Sequence, residues 1–188
     1  GIAYGVYLKL IRKRKPYAFF LCHHKSGAGN FARLLKLSLQ QSKNVAGRVF
    51  VDSDDLRDLA NLFGCVKSDT DKLVVLCSKE ILSRPWCMGE VSTARLAGVP
   101  VLSVLLPDFA WPSEDFVKYY ADSVPDVRIL AQYSIGVNTV QDSVRWLQAH
   151  PAVLCPQDID HAAVQRVVGF VGARDPDASA APSATSPS

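Results

Sequence analysis

Four short apolar runs punctuate this chain: "YAFFLC" (17–22), "RVFVD" (48–52), "KLVVLCS" (72–78) and "VPVLSVLL" (99–106). Each reads as a buried strand, and the last is apolar almost throughout, as strands covered on both faces are. Helical spacing occupies the stretches between them. "FARLLKLSLQQ" (31–41) places its leucines on one side of a helix, and a second helix is expected from about 84 to 97, ending near Gly98. "VQDSVRWLQAH" (140–150) and "DIDHAAVQRVVGFVG" (158–172) read as later amphipathic helices, with a weak strand expected near 127–131 between the second helix and these. Strand–helix alternation of this kind predicts an α/β domain: a parallel sheet with helices on both faces, spanning residues 16–172.

The flanks read differently. "GIAYGVYLKLIRKRK" (1–15) is apolar and then basic; 11 apolar-rich residues are too few to cross a bilayer, which takes about 20. The segment is expected either to pack on the domain as an arm or to be the trailing end of a membrane span with its basic cluster on the cytoplasmic side. Residues 173–188 are Ala, Ser, Pro and Asp, too poor in apolar side chains to fold.

Charge excludes one class. The net +3 arises from Lys9, Arg12, Lys13, Arg14 and Lys15; the other 16 basic residues face 18 acidic ones, so the folded body has no basic surplus for nucleic acid. Five cysteines, odd in number and without a CxxC pair, predict reduced thiols in an intracellular domain. Cys22, His23 and His24 are adjacent and make a poor tetrahedral set, so no metal is expected.

Ligands of an open parallel sheet bind beyond the carboxyl ends of its strands. That restricts function to Cys22–Asn30, Asp52–Leu59, Ser78–Glu90 and Pro107–Trp111. In the first segment Gly27 and Gly29 permit close backbone approach and His24 and Lys25 offer charge, but the spacing is neither GxGxxG nor a P-loop. "DSDDLRDL" (52–59) lacks the glycine and closing glutamate of an EF-hand loop and suits a solvated loop with a helix cap. "LSRPWCMGE" (82–90) starts a helix with Ser83 as N-cap and Pro85 in the first turn. Trp86 and Glu90 then share a face, and Gly89 leaves room beside the carboxylate. Spacing alone makes Trp86 a core residue or a ligand platform, and Glu90 a surface acid or a catalyst. Trp111 in "LPDFAWP" (106–112) is either an aromatic lid or a plug over the sheet edge.

Taken in order, these pieces resemble the TIR (Toll/interleukin receptor) domain across about residues 16–150. "YAFFLCHHK" looks like its first box, and "RVFVDSDDL" like its second strand running into the BB loop. "KLVVLCSKEILSRPWCMGE" is similar to the third strand and following helix, especially of plant members, and "DFAWP" to an aromatic loop of the animal axon-degeneration members. The resemblance implies a flavodoxin-like three-layer sandwich around a five-stranded parallel sheet. It implies a cytoplasmic domain that associates with other TIR domains and either acts as an assembly module or cleaves the nicotinamide–ribose bond of NAD+, with NAD+ as substrate. By position, Glu90 would be catalytic, and His23, His24, Lys25, Asp52, Trp86 and Trp111 would contact the dinucleotide. The chain departs from the family at Cys22, where a serine is usual, at His23–Lys25, where an aromatic and arginines are usual, and in a BB loop reading "LRDLANLFG". A response-regulator-like domain shares the fold but would want an aspartate at the end of the third strand, where this chain has Cys77 and Ser78.

Overall fold

The computed structural model describes residues 15–51 and 59–173. Strands β1 (Tyr17–His23), β2 (Arg48–Val51), β3 (Thr70–Cys77), β4 (Val101–Leu105) and β5 (Ala152–Leu154) form one parallel sheet in the order β2-β1-β3-β4-β5. The helices are α1 (Lys25–Gln41), α2 (Leu59–Gly64), α3 (Pro85–Ala97), the short α4 (Glu114–Lys118) and α5 (Tyr120–Ser123), α6 (Val137–Gln148) and α7 (His161–Gly172). This strand order is that of flavodoxin-like sheets.

The period of two along each strand sorts the core into two layers. Phe20 and Cys22 of β1, with Leu73, Val75 and Cys77 of β3, face Cys87, Met88 and Val91 of α3 and Val140, Val144 and Leu147 of α6. Phe19, Leu21, Val74 and Leu76 face Ala28, Phe31 and Leu35 of α1 and Val164, Val167 and Val168 of α7. Both faces are covered, which is why β3 and β4 read as unbroken apolar runs.

Helix ends follow local chemistry. Pro85 occupies the first turn of α3, where its missing N–H costs little, and Gly98 closes the helix at φ 66°, a conformation that side chains resist. Asp160 caps α7 by accepting from the Ala163 amide at 2.7 Å, a contact worth about 1 kcal/mol.

Several expectations are corrected. The N-cap of α3 is Arg84; Ser83 instead ends the 3₁₀ turn Ile81–Ser83. The first-loop glycines lie inside α1, which begins at Lys25 and not near residue 31. The fifth strand is Ala152–Leu154, not residues near 127–131. Pro125–Tyr133 is 3₁₀ helix, and its buried Val127 and Leu130 recur at the three-residue spacing such a helix stacks on one side. All of the N-terminal arm but Lys15, Asp52 with most of the acidic loop, and nearly all of the tail lie outside the described residues. No helix among the described residues is long and apolar enough to cross a membrane.

Candidate active site around Glu90

Glu90 stands in the second turn of α3 and is only 3 % exposed. Charged side chains are rarely so buried, since leaving water costs several kcal/mol unless something compensates. Its surroundings follow from the sheet's alternation. Cys22, at the carboxyl end of β1, projects into the layer that α3 fills. Its thiol approaches the Cys87 carbonyl oxygen at 3.8 Å, and the Cys87 thiol donates to the His23 carbonyl at 3.4 Å. Cys87 precedes Glu90 by three residues and shares its side of the helix.

Hydrogen bonding with Cys87, burial and the negative charge of Glu90 together hold the Cys22 thiol well above its usual pKa. Cys65, in the π-helical turn Cys65–Asp69 after α2, is raised chiefly by burial, with Glu90 a smaller contributor. Glu90 therefore lies within electrostatic reach of the Cys22 and Cys65 thiols, whose raised pKa values keep them protonated at neutral pH. In low-dielectric surroundings of this kind a carboxylate acts on a nearby positive charge more strongly than it would in water.

The room expected beside Gly89 is filled. A Cβ built at Gly89 would lie 2.3 Å from Phe63 Cζ and 3.2 Å from Leu130 Cδ2, so the glycine admits the Phe63 ring and not a ligand. Phe63 packs edge-on against Tyr133 at 5.2 Å, and Tyr133 against the half-buried Trp86 at 6.3 Å. Trp86 thus heads an aromatic row along the flank of α3.

The other candidates spread along the same edge of the sheet. His23, one position after Cys22, is directed by alternation toward the opposite face, with Nδ1 at 3.3 Å from the Leu21 carbonyl oxygen. His24 precedes α1, with Nδ1 at 3.8 Å from Glu80 Oε2 and Nε2 at 3.2 Å from Ser26 Oγ. Burial, then the Arg84 charge, lower its pKa; Glu80 opposes them. Lys25 is exposed at the start of α1 and lines a cleft with Asp108 and Gln157. Trp111, beyond β4, packs edge-on against Phe109 at 4.9 Å and lines a separate cleft with Leu154 and Arg166. The structure thus places Trp86 on the helix of Glu90, His24 and Lys25 at the head of α1, and Trp111 toward β5. Cys22, Cys65 and Cys87 were missed as site residues; the parity of Cys22 and the three-residue offset of Cys87 were the available signals. Among the described residues no group of three His, Cys, Asp or Glu could hold a metal ion.

No protein-family model matches the sequence, and no curated protein matches it. Among solved structures the chain is similar to the TIR domains of the activated Roq1 resistosome directly recognizing the pathogen effector XopQ. The likeness has a TM-score of 0.59 at 15 % identity and covers 82 % of this chain and 99 % of that one. The fold is therefore the TIR fold.

Proposed function

We propose that this domain is an NAD+ nucleosidase that cleaves the nicotinamide–ribose bond, with Glu90 as its catalytic residue, and that it acts in the cytoplasm when copies associate. The observation that carries this reading is the burial of Glu90 at the ligand-binding edge of the sheet, against the end of β1. Scission of that bond places positive, oxocarbenium-like charge on the ribose, and a carboxylate in a low-dielectric site stabilises such charge. The same carboxylate accepts hydrogen bonds from ribose hydroxyls and so orients the sugar. Nicotinamide leaves as a neutral ring from a cationic nitrogen, so no leaving-group acid is needed. Trp86 walls the pocket, and His24 and Lys25 face the phosphates. Products are nicotinamide and ADP-ribose in linear or cyclic form.

The test is nicotinamide release from NAD+ by the tethered or concentrated domain, beside Glu90→Ala. Turnover that falls at least about 100-fold in the variant supports the reading. A folded, associated wild type without turnover overturns it, and equal turnover in the variant removes Glu90 from the chemistry.

A second reading, a non-enzymatic assembly module, draws on the closure of the packing over Glu90 and on the similar TIR domains being parts of a resistosome. Self-association detected by pull-down, lost on changing Asp54, Asp55 and Arg57 while Glu90→Ala has no effect on signalling, supports it; binding indifferent to those three changes counts against a BB-loop surface.

A further inference from the structure

Phe63 turns its ring into the space at Gly89, and its neighbour Gly64 has no side chain to put in the ring's place; a Cβ at Gly64 would meet no atom within 4 Å. Across from it, near the end of α3, Ala97 is short and Leu96 is 62 % exposed. The third wall is the end of the 3₁₀ helix. Ser134 closes that helix at φ 62°, the Ile135 amide donates to the Leu130 carbonyl at 3.2 Å, and the chain turns away into α6. These elements enclose a cavity of about 340 Å³. It shares no lining residue with the clefts beside His24, Lys25 or Trp111. An apolar cavity of about 150 Å³ holds one benzene ring, so this one has room for a ring with a short chain.

The lining sets the chemistry of an occupant. Phe63, Tyr133, Ile135 and Leu96 supply apolar walls, and Lys67, in the turn after α2, supplies a charge; no acidic residue lines the cavity. Apolar walls with a few convergent polar groups are the usual make-up of a small-molecule site. Lys67 is exposed and makes no ion pair among the described residues. The α6 helix starts at Val137, two residues beyond Ile135, with no acid in its first turn and no side-chain cap among the described residues. Its positive dipole end therefore adds to the field of Lys67. The carboxyl end of α3 opposes that field, but its Ala94 and Arg95 carbonyls are already taken by the amides of Val99 and Gly98.

We propose that this cavity binds a small carboxylate with an aromatic or short alkyl body, its apolar part against Phe63, Tyr133, Ile135 and Leu96 and its carboxylate paired with the Lys67 ammonium. The occupant touches two rings that have second contacts on the helix of Glu90: Phe63 at Gly89, and Tyr133 against Trp86. The inference goes beyond the reading of Glu90 and stands whether or not NAD+ is cleaved.

Calorimetry on the purified protein with phenylbutyrate and its uncharged analogue phenylbutanol tests this, and amide NMR locates the probe. Phenylbutyrate binds wild type saturably and shifts the amide signals of Lys67 and Gly89, leaving those of Lys25 and Trp111 in place. Lys67→Gln weakens phenylbutyrate about threefold or more, the scale of an exposed ion pair, and leaves phenylbutanol unchanged. Gly64→Leu puts a side chain into the open space and weakens both probes about tenfold or more. Because position 67 is exposed, the Lys67→Gln result is independent of any effect of Gly64→Leu on folding. The proposal is overturned by no saturable binding of phenylbutyrate to wild type, by equal effects of Lys67→Gln on the two probes, by unchanged affinity in Gly64→Leu, or by amide shifts gathered at Lys25 or Trp111. Failure of nicotinamide release with phenylbutyrate binding intact bears only on the reading of Glu90.

Discussion

The ring of Phe63 occupies the volume that a side chain at position 89 would need, with its Cζ 2.3 Å from where the Gly89 Cβ would be. The glycine beside the candidate catalytic carboxylate is a packing requirement that locks α2 against α3. Gly89→Ala gains up to about 1 kcal/mol of helix propensity, but overpacking of a filled core costs about 1–3 kcal/mol. The variant is expected to be less stable by about 1–2 kcal/mol in chemical denaturation, and adding Phe63→Leu is expected to recover part of the loss. A neutral or stabilising Gly89→Ala would show that the Phe63 ring moves freely.

Glu90→Gln separates stability from chemistry. Removing a buried charge while keeping the shape is neutral to stabilising, so the melting temperature should hold or rise. Nicotinamide release should fall by roughly 100-fold or more. A large drop in melting temperature would mean that the charge itself holds α3 against β1.

Tyr120 is fully buried and its hydroxyl donates to the Leu82 carbonyl, tying α5 to the turn that precedes α3. Burial, with a smaller contribution from Cys87, pushes its phenol pKa well above the usual value. Tyr120→Phe leaves that carbonyl oxygen without its donor and is expected to cost about 1–3 kcal/mol, read by urea unfolding. Because the turn positions Arg84 and Pro85, the variant should also show faster hydrogen exchange at the start of α3.

Acid should destabilise the domain through His24. Its pKa is lowered in the fold, by burial and by Arg84, against the pull of Glu80 and with His23 adding to the lowering. The unfolded chain therefore takes up a proton first. The contribution of neutral His24 is complete above the ordinary histidine value of about 6.5 and is lost as pH falls through the folded value. His24→Gln should flatten melting temperature against pH in that window; an unchanged slope would exclude His24 as its origin.

At high pH the thiols dominate. Burial raises Cys77 to about 12, and Cys22 is also held well above its ordinary value. The unfolded chain releases these protons from about pH 8.5 upward, so stability should decline above that value until the folded thiols ionise. Alkylation of the native protein should reach the half-exposed Cys65 before Cys22 or Cys77; rapid labelling of Cys22 would show that α3 opens readily from β1.

Much of the fold was legible in the sequence because strands buried on both faces leave unbroken apolar runs, and four such runs marked β1 to β4. Pro85 and Gly98 marked the ends of α3 by their own backbone chemistry. The fifth strand was not legible: Ala152–Leu154 is three residues long, and only its pairing with β4 makes it a strand. Residues 125–133 misled because a three-residue apolar period is easily mistaken for a short run.

The site divides in the same way. The sequence by itself determined that Trp86 and Glu90 share a side of one helix, because helical spacing is a local property. It also placed that helix after the third strand, at the edge where ligands bind. Only the tertiary structure decided that Glu90 is buried, that Cys22 comes to it while the His23 ring turns away, and that Phe63 fills the space at Gly89. It alone set the buried Ser78 hydroxyl against Gly27. These contacts join residues about 25 to 70 positions apart, and they depend on strand register and side-chain packing, which no local pattern encodes.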